Sequence, residues 1–341
     1  MERPKTKLAV SLVTYNAEKY LPFCLSSLVN QTFQDFAVLV IDNGSSDRTV
    51  PYLKEKYPQI KVVEHSGNVG FAKAHNQAIA WSRSDYLCLL NQDSVLEPDY
   101  FRRLIDFLEE NPAVAAISGK ILIWDYSDNK KTDVIDSLGL RVFKNHRVVE
   151  IGQGETDTVA EQPAWEVFGV SGAVPVYRRS ALESVKLPGS LGREEYFDEL
   201  FFSYKEDVDL AWRLRLAGYQ SFCLPVAVAY HNRTVRGQRD LSDQAAADLR
   251  RSKDQMVKLY SYKNHLQTLF KNEFFSNLFK YFWPIFWYEL KKLVYILLFE
   301  QSTLHGLGLY FKQRPKLKAK RRYIVKHIIK VKAGEIAKWF E

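Results

Sequence analysis

The chain has 341 residues, enough for one large domain with an appendage or for two domains, and its 46% hydrophobic and 26% charged content is that of an ordinary globular protein. The formal charge of +8 is unevenly spread: residues 251–341 carry 19 Lys and Arg against 6 acids, whereas residues 1–250 are mildly acidic. A basic, aromatic tail on a mildly acidic body points to an anionic surface, either membrane or nucleic acid, as the tail's partner.

Cys24, Cys88 and Cys223 are odd in number, far apart and form no CxxC pair. They read as reduced structural thiols, not as a disulfide framework. Met1-Glu2-Arg3-Pro4-Lys5 leads into a strand pattern without an h-region or cleavage site, so export is not expected and a cytoplasmic protein is.

Residues 7–110 alternate between strand-like runs (Leu8–Val13, Phe36–Ile41, Ile60–Val63, Tyr86–Leu90) and helical patterns near 18–30, 47–57, 70–82 and 98–109. Such alternation predicts an α/β fold, a mostly parallel sheet with helices on both faces. Val114–Ile123 adds a further strand. Residues 125–164 loosen into Gly-containing loop with a hairpin. Phe168–Tyr177 reads as a strand broken by Gly172 and Pro175, residues 206–217 as an amphipathic helix stopped by Gly218, and Phe222–Tyr230 as a last strand ending at His231.

Beyond residue 250 the character changes. Residues 274–299 are apolar and aromatic but are interrupted by Lys280, Pro284, Glu289, Lys291 and Lys292. The uncharged stretches fall short of the ~20 residues a spanning helix needs. Helices lying in a membrane interface fit better, with the basic run Lys312–Lys332 facing anionic lipid. The competing reading is a helical region packed on the body.

Three apolar runs end in polar residues: Thr14-Tyr15-Asn16, Asp42-Asn43-Gly44-Ser45 and Asn91-Gln92-Asp93. Open α/β sheets bind nucleotides and metals at such carboxyl edges, so one shared crevice is expected. Asp42 suits the imide N–H of a uracil or thymine ring, or simply an Asx turn. Asn68-Val69-Gly70 precedes a helix whose N-terminus could support phosphates. Asp93 suits a hard divalent cation bridging a diphosphate, or a strand-end turn. Glu206, Asp207 and Asp209 open one helix; acids are favourable there, yet one cap suffices, and a carboxylate so placed can deprotonate an alcohol. His231 is an ordinary packed histidine unless it faces Asp93.

In this order the residues resemble a family 2 inverting glycosyltransferase of GT-A fold, near its bacterial rhamnosyltransferase-like branch. The matching motifs are VSLVTYN (10–16), VLVIDNGSSD (38–47), NVGFAKAHNQAI (68–79), LLNQD (89–93), FDELFFSYKEDVDLAWRLRLAGY (197–219) and YHNRT (230–234). The resemblance implies a catalytic domain over residues 1–250, its nucleotide-sugar half at 1–123 and its acceptor half at 124–250. Residues 251–341 follow as a helical, membrane-interface region.

It further implies that Thr14, Tyr15, Asn16, Asp42, Asn43, Asn68, Gly70, Asn91, Gln92 and Asp93 bind the donor nucleotide, and that Ser171, Gly172, Asp198 and Glu199 shape the acceptor pocket. Asp207, beside Glu206, would be the general base. Asp93 and His231 would hold Mg²⁺ or Mn²⁺. The implied donor is dTDP-rhamnose, with UDP-galactofuranose or a UDP-N-acetylhexosamine behind it. The acceptor would be a saccharide or polyprenyl-linked saccharide in cell-surface polysaccharide synthesis, on the inner face of the plasma membrane. No nucleic-acid partner is expected; a homo-oligomer is allowed. Asn91, standing where the family carries the first acid of its Asp-x-Asp motif, leaves a rival reading: a catalytically impaired, nucleotide-sugar-binding membrane scaffold.

Overall fold

The computed structural model describes residues 5–159, 162–189, 192–232, 248 and 250–341. Side-chain alternation decides how its sheet is covered, because successive residues of a strand point to opposite faces. In β1 (Leu8–Thr14), Leu8, Val10 and Leu12 join one core cluster, while Ala9 belongs to another. The first face is covered by α1 (Leu21–Val29), α2 (Thr49–Lys56) and α4 (Tyr100–Glu110) through Leu25, Leu53 and Leu104. The second is covered by α3 (Phe71–Trp81), α5 (Arg179–Val185) and α6 (Glu206–Leu216) through Ile79, Leu182 and Leu214. This is the expected two-sided α/β sheet.

β1 pairs in parallel with β2 (Phe36–Asp42) and β4 (Tyr86–Asn91), and β2 with β3 (Lys61–Glu64). The short β5 (Ser94–Leu96) follows, then β6 (Val114–Asp125), which turns back into β7 (Lys130–Ser137). β8 (Leu140–Val142) and β9 (Val148–Glu150) form a separate hairpin, so the loose region holds two hairpins. After β10 (Trp165–Glu166), β11 (Val176–Arg178) inserts antiparallel between β4 and β6. β12 (Leu187–Pro188) and β13 (Glu194–Glu195) form a small ribbon, and β14 (Gln220–His231) runs parallel to β6. The sheet order is β10-β14-β6-β11-β4-β1-β2-β3.

Register sets the site. Val13 stands opposite Asn91, Thr14 opposite Asp42, and His231 opposite Ser94, so the polar strand ends share one edge.

Two expectations need correction. Of the Phe168–Tyr177 run only Val176 and Tyr177 are strand, within β11; Pro175 has no N–H to give a ladder, and its carbonyl instead accepts from Leu89 N–H. Helix α6 is stopped by Gly218 (φ +86°) as expected, but its polar face is not solvated. Asp209, Arg213 and Arg215 are all buried.

The reason is the C-terminal region: α7 (Gln255–Asn272), α8 (Phe275–Lys280), α9 (Phe282–Phe299), α10 (Leu304–Tyr323) and α11 (Ala333–Ala337). Among the described residues no helix is long and apolar enough to cross a membrane. α7 packs on α6 and delivers Lys271 to both Asp198 and Asp209; α10 delivers Lys320 to Asp198 and Glu195. Lys320 is therefore lost from the basic run as a lipid-facing charge. Residue 250 divides composition, but in packing buried ion pairs cross it. Burial alone would raise the Asp198 carboxyl, yet Lys271 and Lys320 hold it far below the usual range.

Removing one partner of a buried pair strands a charge, so Lys271→Met should destabilise the fold by about 3–5 kcal/mol. Urea denaturation against a surface control such as Lys291→Met measures it.

Candidate active site

A cavity of about 690 Å³ opens at the carboxyl ends of β1 and β4. On its sheet side, Gln92 exchanges two hydrogen bonds with the Tyr15 backbone, donating to the carbonyl at 3.1 Å and accepting from N–H at 2.7 Å. That exchange locks the ends of the two strands together. Beside it, His231 Nε2 lies 3.3 Å from Asp93 Oδ1 and 3.3 Å from Asn91 Nδ2, while its Nδ1 is 2.9 Å from Asp136 Oδ2. β14 pairs with β5 through His231 and Ser94, which is what sets the histidine against Asp93. Burial works against the imidazolium, but the Asp93 and Asp136 carboxylates outweigh it and raise His231 to about 9.

Asp207 lines the same cavity, from the N-terminus of α6. Its Oδ2 accepts from Gly172 N–H at 3.1 Å and its Oδ1 from Val208 N–H at 2.8 Å, which fixes the carboxylate over the cavity. Its neighbour Glu206 is buried, and Oε2 has no hydrogen-bond partner among the described residues. Burial, reinforced by the adjacent Asp207 charge, pushes Glu206 up to about 8. Glu206 is thus driven towards its protonated form at neutral pH.

The loop before α6 is strained: Phe202, Tyr204 and Lys205 all have positive φ (66°, 72° and 68°). Asn264 of α7 holds it by donating from Nδ2 to the carbonyls of Phe201, Ser203 and Tyr204 at 3.0, 2.8 and 2.7 Å.

The family model for glycosyl transferase family 2 matches residues 9–185, more than half of the chain. The chain belongs to that family. Among curated relatives of this family 2 glycosyltransferase, an uncharacterized glycosyltransferase of Haemophilus influenzae is 28% identical over 119 residues, 34% of this chain and 37% of that one. The N-acetylglucosaminyl-diphospho-decaprenol L-rhamnosyltransferase of Mycobacterium tuberculosis is 28% identical over 261 residues, 70% of this chain and 80% of that one. Among solved structures, GalNAc-T7 with UDP, GalNAc and Mn²⁺ superposes with a TM-score of 0.53 at 13% identity, over 86% of this chain and 58% of that one. That likeness shows the GT-A fold.

Of the residues singled out from sequence, the glycosyltransferase brings Thr14, Tyr15, Asn91, Gln92, Asp93, Ser171, Gly172, Glu206, Asp207 and His231 around one cavity. It does not bring the others there. Asp42 is buried, and its oxygens accept from Thr14 Oγ1, Ser45 Oγ and the N–H groups of Gly44 and Ser45, the Asx-turn arrangement. Asn16 Oδ1 accepts from Ser46, Asn43 is buried, and Asn68 Oδ1 accepts from Gly70 N–H. Gly70 (φ +87°) makes its close approach to Phe202: a Cβ would lie 2.7 Å from that residue's carbonyl oxygen. Asp198 is sealed in by its lysines and Glu199 accepts from Asn76, so neither faces the cavity. Arg233 and Thr234 of the last motif lie outside the described residues.

Sequence reasoning missed Asp136, Asn264, and the cavity-lining Arg147, Tyr262, His265, Tyr288 and Lys292. Only Asp136 carried a signal, as an acid closing the alternating run of β7.

Among the described residues no group of three His, Cys, Asp or Glu side chains converges as a ready metal cage. The Asp93 carboxylate and the His231 imidazole, 3.3 Å apart, are the pair of side chains that would suit a divalent cation here.

The raised Glu206 value has a stability consequence. The folded state keeps a proton that the unfolded chain, with a carboxyl near 4.5, has released, so this contribution is complete below that value and is lost as pH rises towards about 8. Glu206→Gln does not titrate, so the stability of wild type relative to Glu206→Gln should fall from pH 5 to pH 8 in urea midpoints, each compared at ~25 °C. A flat difference would show that Glu206 is ionised throughout.

Proposed function

We propose that this family 2 glycosyltransferase moves a sugar, L-rhamnose in the favoured reading, from a nucleoside diphosphate to a lipid-linked saccharide, with inversion and in cell-surface polysaccharide synthesis. The observation that carries the transfer chemistry is the placement of Asp207, fixed by Gly172 N–H, in the same cavity as Asp93 and His231. The rhamnosyl and lipid-linked parts rest on likeness to the mycobacterial enzyme, whose name states both.

In this mechanism Asp207 accepts the proton of the acceptor hydroxyl as its oxygen bonds to the anomeric carbon from the face opposite the departing group. The anomeric carbon–oxygen bond to phosphate breaks, and its electron pair leaves with the nucleoside diphosphate. When bound, Mg²⁺ or Mn²⁺ offsets the charge that develops on the departing diphosphate. Asp93 and His231 would hold it, with His231 oriented by Asp136 and an imidazole ligand tilting the choice towards Mn²⁺. Thr14, Tyr15, Asn91 and Gln92 line the donor side, and Ser171 and Gly172 the acceptor side. Asp42 would act mainly by holding the loop that frames the base, since its oxygens already serve Thr14, Gly44 and Ser45.

A lipid-linked acceptor has to be met at a membrane. Helix α9 exposes Phe282, Trp283, Phe286 and Trp287, and α8 exposes Phe279 at 85%. Aromatic bodies of this kind suit the headgroup zone of a bilayer, so the protein would lie on an anionic inner leaflet.

Asp207→Asn should lower transfer by about 10³-fold or more while leaving nucleotide-sugar affinity within about twofold; unchanged turnover would remove the base assignment. Thermal stabilisation by a panel of nucleotide-sugars, with and without Mn²⁺, identifies the donor. If the metal is held as proposed, His231→Ala should weaken the Mn²⁺-dependent part about as much as Asp93→Ala. In flotation with phosphatidylglycerol vesicles, Trp283→Ala combined with Trp287→Ala should reduce bound protein, and equal recovery would count against membrane docking.

A further inference from the structure

The chemistry above leaves several cations of the same cavity unused: Arg147, from the β8–β9 turn, Lys205, before α6, Arg250, and Lys292 of α9 also line it. Four cations from four separate segments meet in a space whose nearest catalytic neighbours are acids. For Arg250, Lys292 and Lys205 the counter-charges among the described residues are partial. Glu300 takes Arg250 Nε at 2.6 Å, but Arg250 Nη2 is buried with no hydrogen-bond partner among the described residues. Glu289 lies 3.9 Å from Lys292 Nζ and is shared with His265 at 2.8 Å. Lys205 makes no ion pair with any described residue within 4.0 Å.

The cations also feel one another. Burial, against the pull of Glu289 and with repulsion from Arg250 and Arg147, lowers Lys292 to about 8; burial and the charge of Lys292 lower Lys205. Half-buried cations that repel one another are costly unless an anion sits among them. The rings of Tyr262 and Tyr288, 4.6 and 5.2 Å from Lys292 Nζ, hold that lysine in place.

Position adds to charge. Lys292 and Tyr288 face the cavity from α9, while Phe282, Trp283, Phe286 and Trp287 of the same helix are exposed. Inner cationic wall and outer aromatic face are therefore two sides of one helix. We infer that the wall formed by Arg147, Lys205, Arg250 and Lys292 is a second anion subsite, which seats the diphosphate joining the acceptor saccharide to its lipid. The inference rests on the glycosyltransferase reading and deepens it. With the linker phosphates anchored there, the lipid leaves towards the aromatic face of α9, and the saccharide extends towards Asp207.

The test uses the full chain, saturated with dTDP or UDP and Mn²⁺ so that the donor end is filled, and titrates farnesyl diphosphate by calorimetry. Wild type should bind it, and Lys292→Met and Arg147→Gln should each weaken it about tenfold or more, as expected for loss of a charge-assisted contact. Nucleoside diphosphate affinity should stay within about twofold in both variants. Arg147 lies in a surface turn, so that variant keeps the test usable should Lys292→Met fail to fold.

Farnesol binding as tightly as farnesyl diphosphate would overturn the subsite. So would inorganic pyrophosphate binding equally well, which would mark a site for free phosphate. Loss of nucleoside diphosphate binding in the variants would assign these cations to the donor and also overturn it. A wild type that binds no nucleoside diphosphate at all would count instead against the glycosyltransferase reading, in a measurement made before the prenyl compound is added.

Discussion

Everything near the cavity depends on a buried network of charge centred on Asp198 and Asp209. Lys271 lies against both carboxylates, Lys320 against Asp198 and Glu195, and Arg213 against Asp209 at 3.0 Å. Asn272 Nδ2 adds a hydrogen bond to Asp209 at 2.8 Å. Such groups are stable away from water only when each finds its partner, so the network demands exact docking of α7 and α10 on α6. Once α7 is docked, Asn264, nearly two turns before Lys271, meets the carbonyls of the strained loop. The loop in turn sets the start of α6 and the aim of Asp207. A charge cluster outside the cavity thereby determines the geometry inside it.

Much of the first half was legible in the sequence because local pattern and tertiary outcome agree there. The runs at Leu8, Phe36 and Tyr86 are apolar enough to be buried on both faces, and polar residues end each of them at the same edge. Asp93 and Asp207 could be placed for the same reason: each is a carboxylate at an abrupt end of an element. The meeting of His231 with Asp93 is different. It arises from pairing between β14 and the three-residue β5, a register no local periodicity encodes.

What the sequence could not show is how an exposed-looking pattern becomes buried. The charges of α6 read as a solvated face because nothing in residues 206–217 announces that Lys271 will cover Asp209. Likewise Lys320 sits in a basic run and looks like one more surface charge. Asp198 and Glu199 belong to a motif that matches the family, yet one is locked in the network and the other serves Asn76. A motif residue can therefore serve the site through the shape it holds. Asp42, whose oxygens hold its own turn, does so as well.

Gly70 packs directly on Phe202: a Cβ there would lie 2.6 Å from the Phe202 ring and 2.7 Å from its carbonyl oxygen, to which Ala72 N–H donates at 3.3 Å. In mechanical terms this is a joint with little play. The first turn of α3 has no room to yield towards the loop, because the Phe202 ring and carbonyl already fill that side. The loop, in turn, is tethered on its far side by Asn264. A push on the Phe202–Lys205 segment from inside the cavity must then be carried into α3 and the sheet beneath it. Loop and helix shift as one body, or neither shifts.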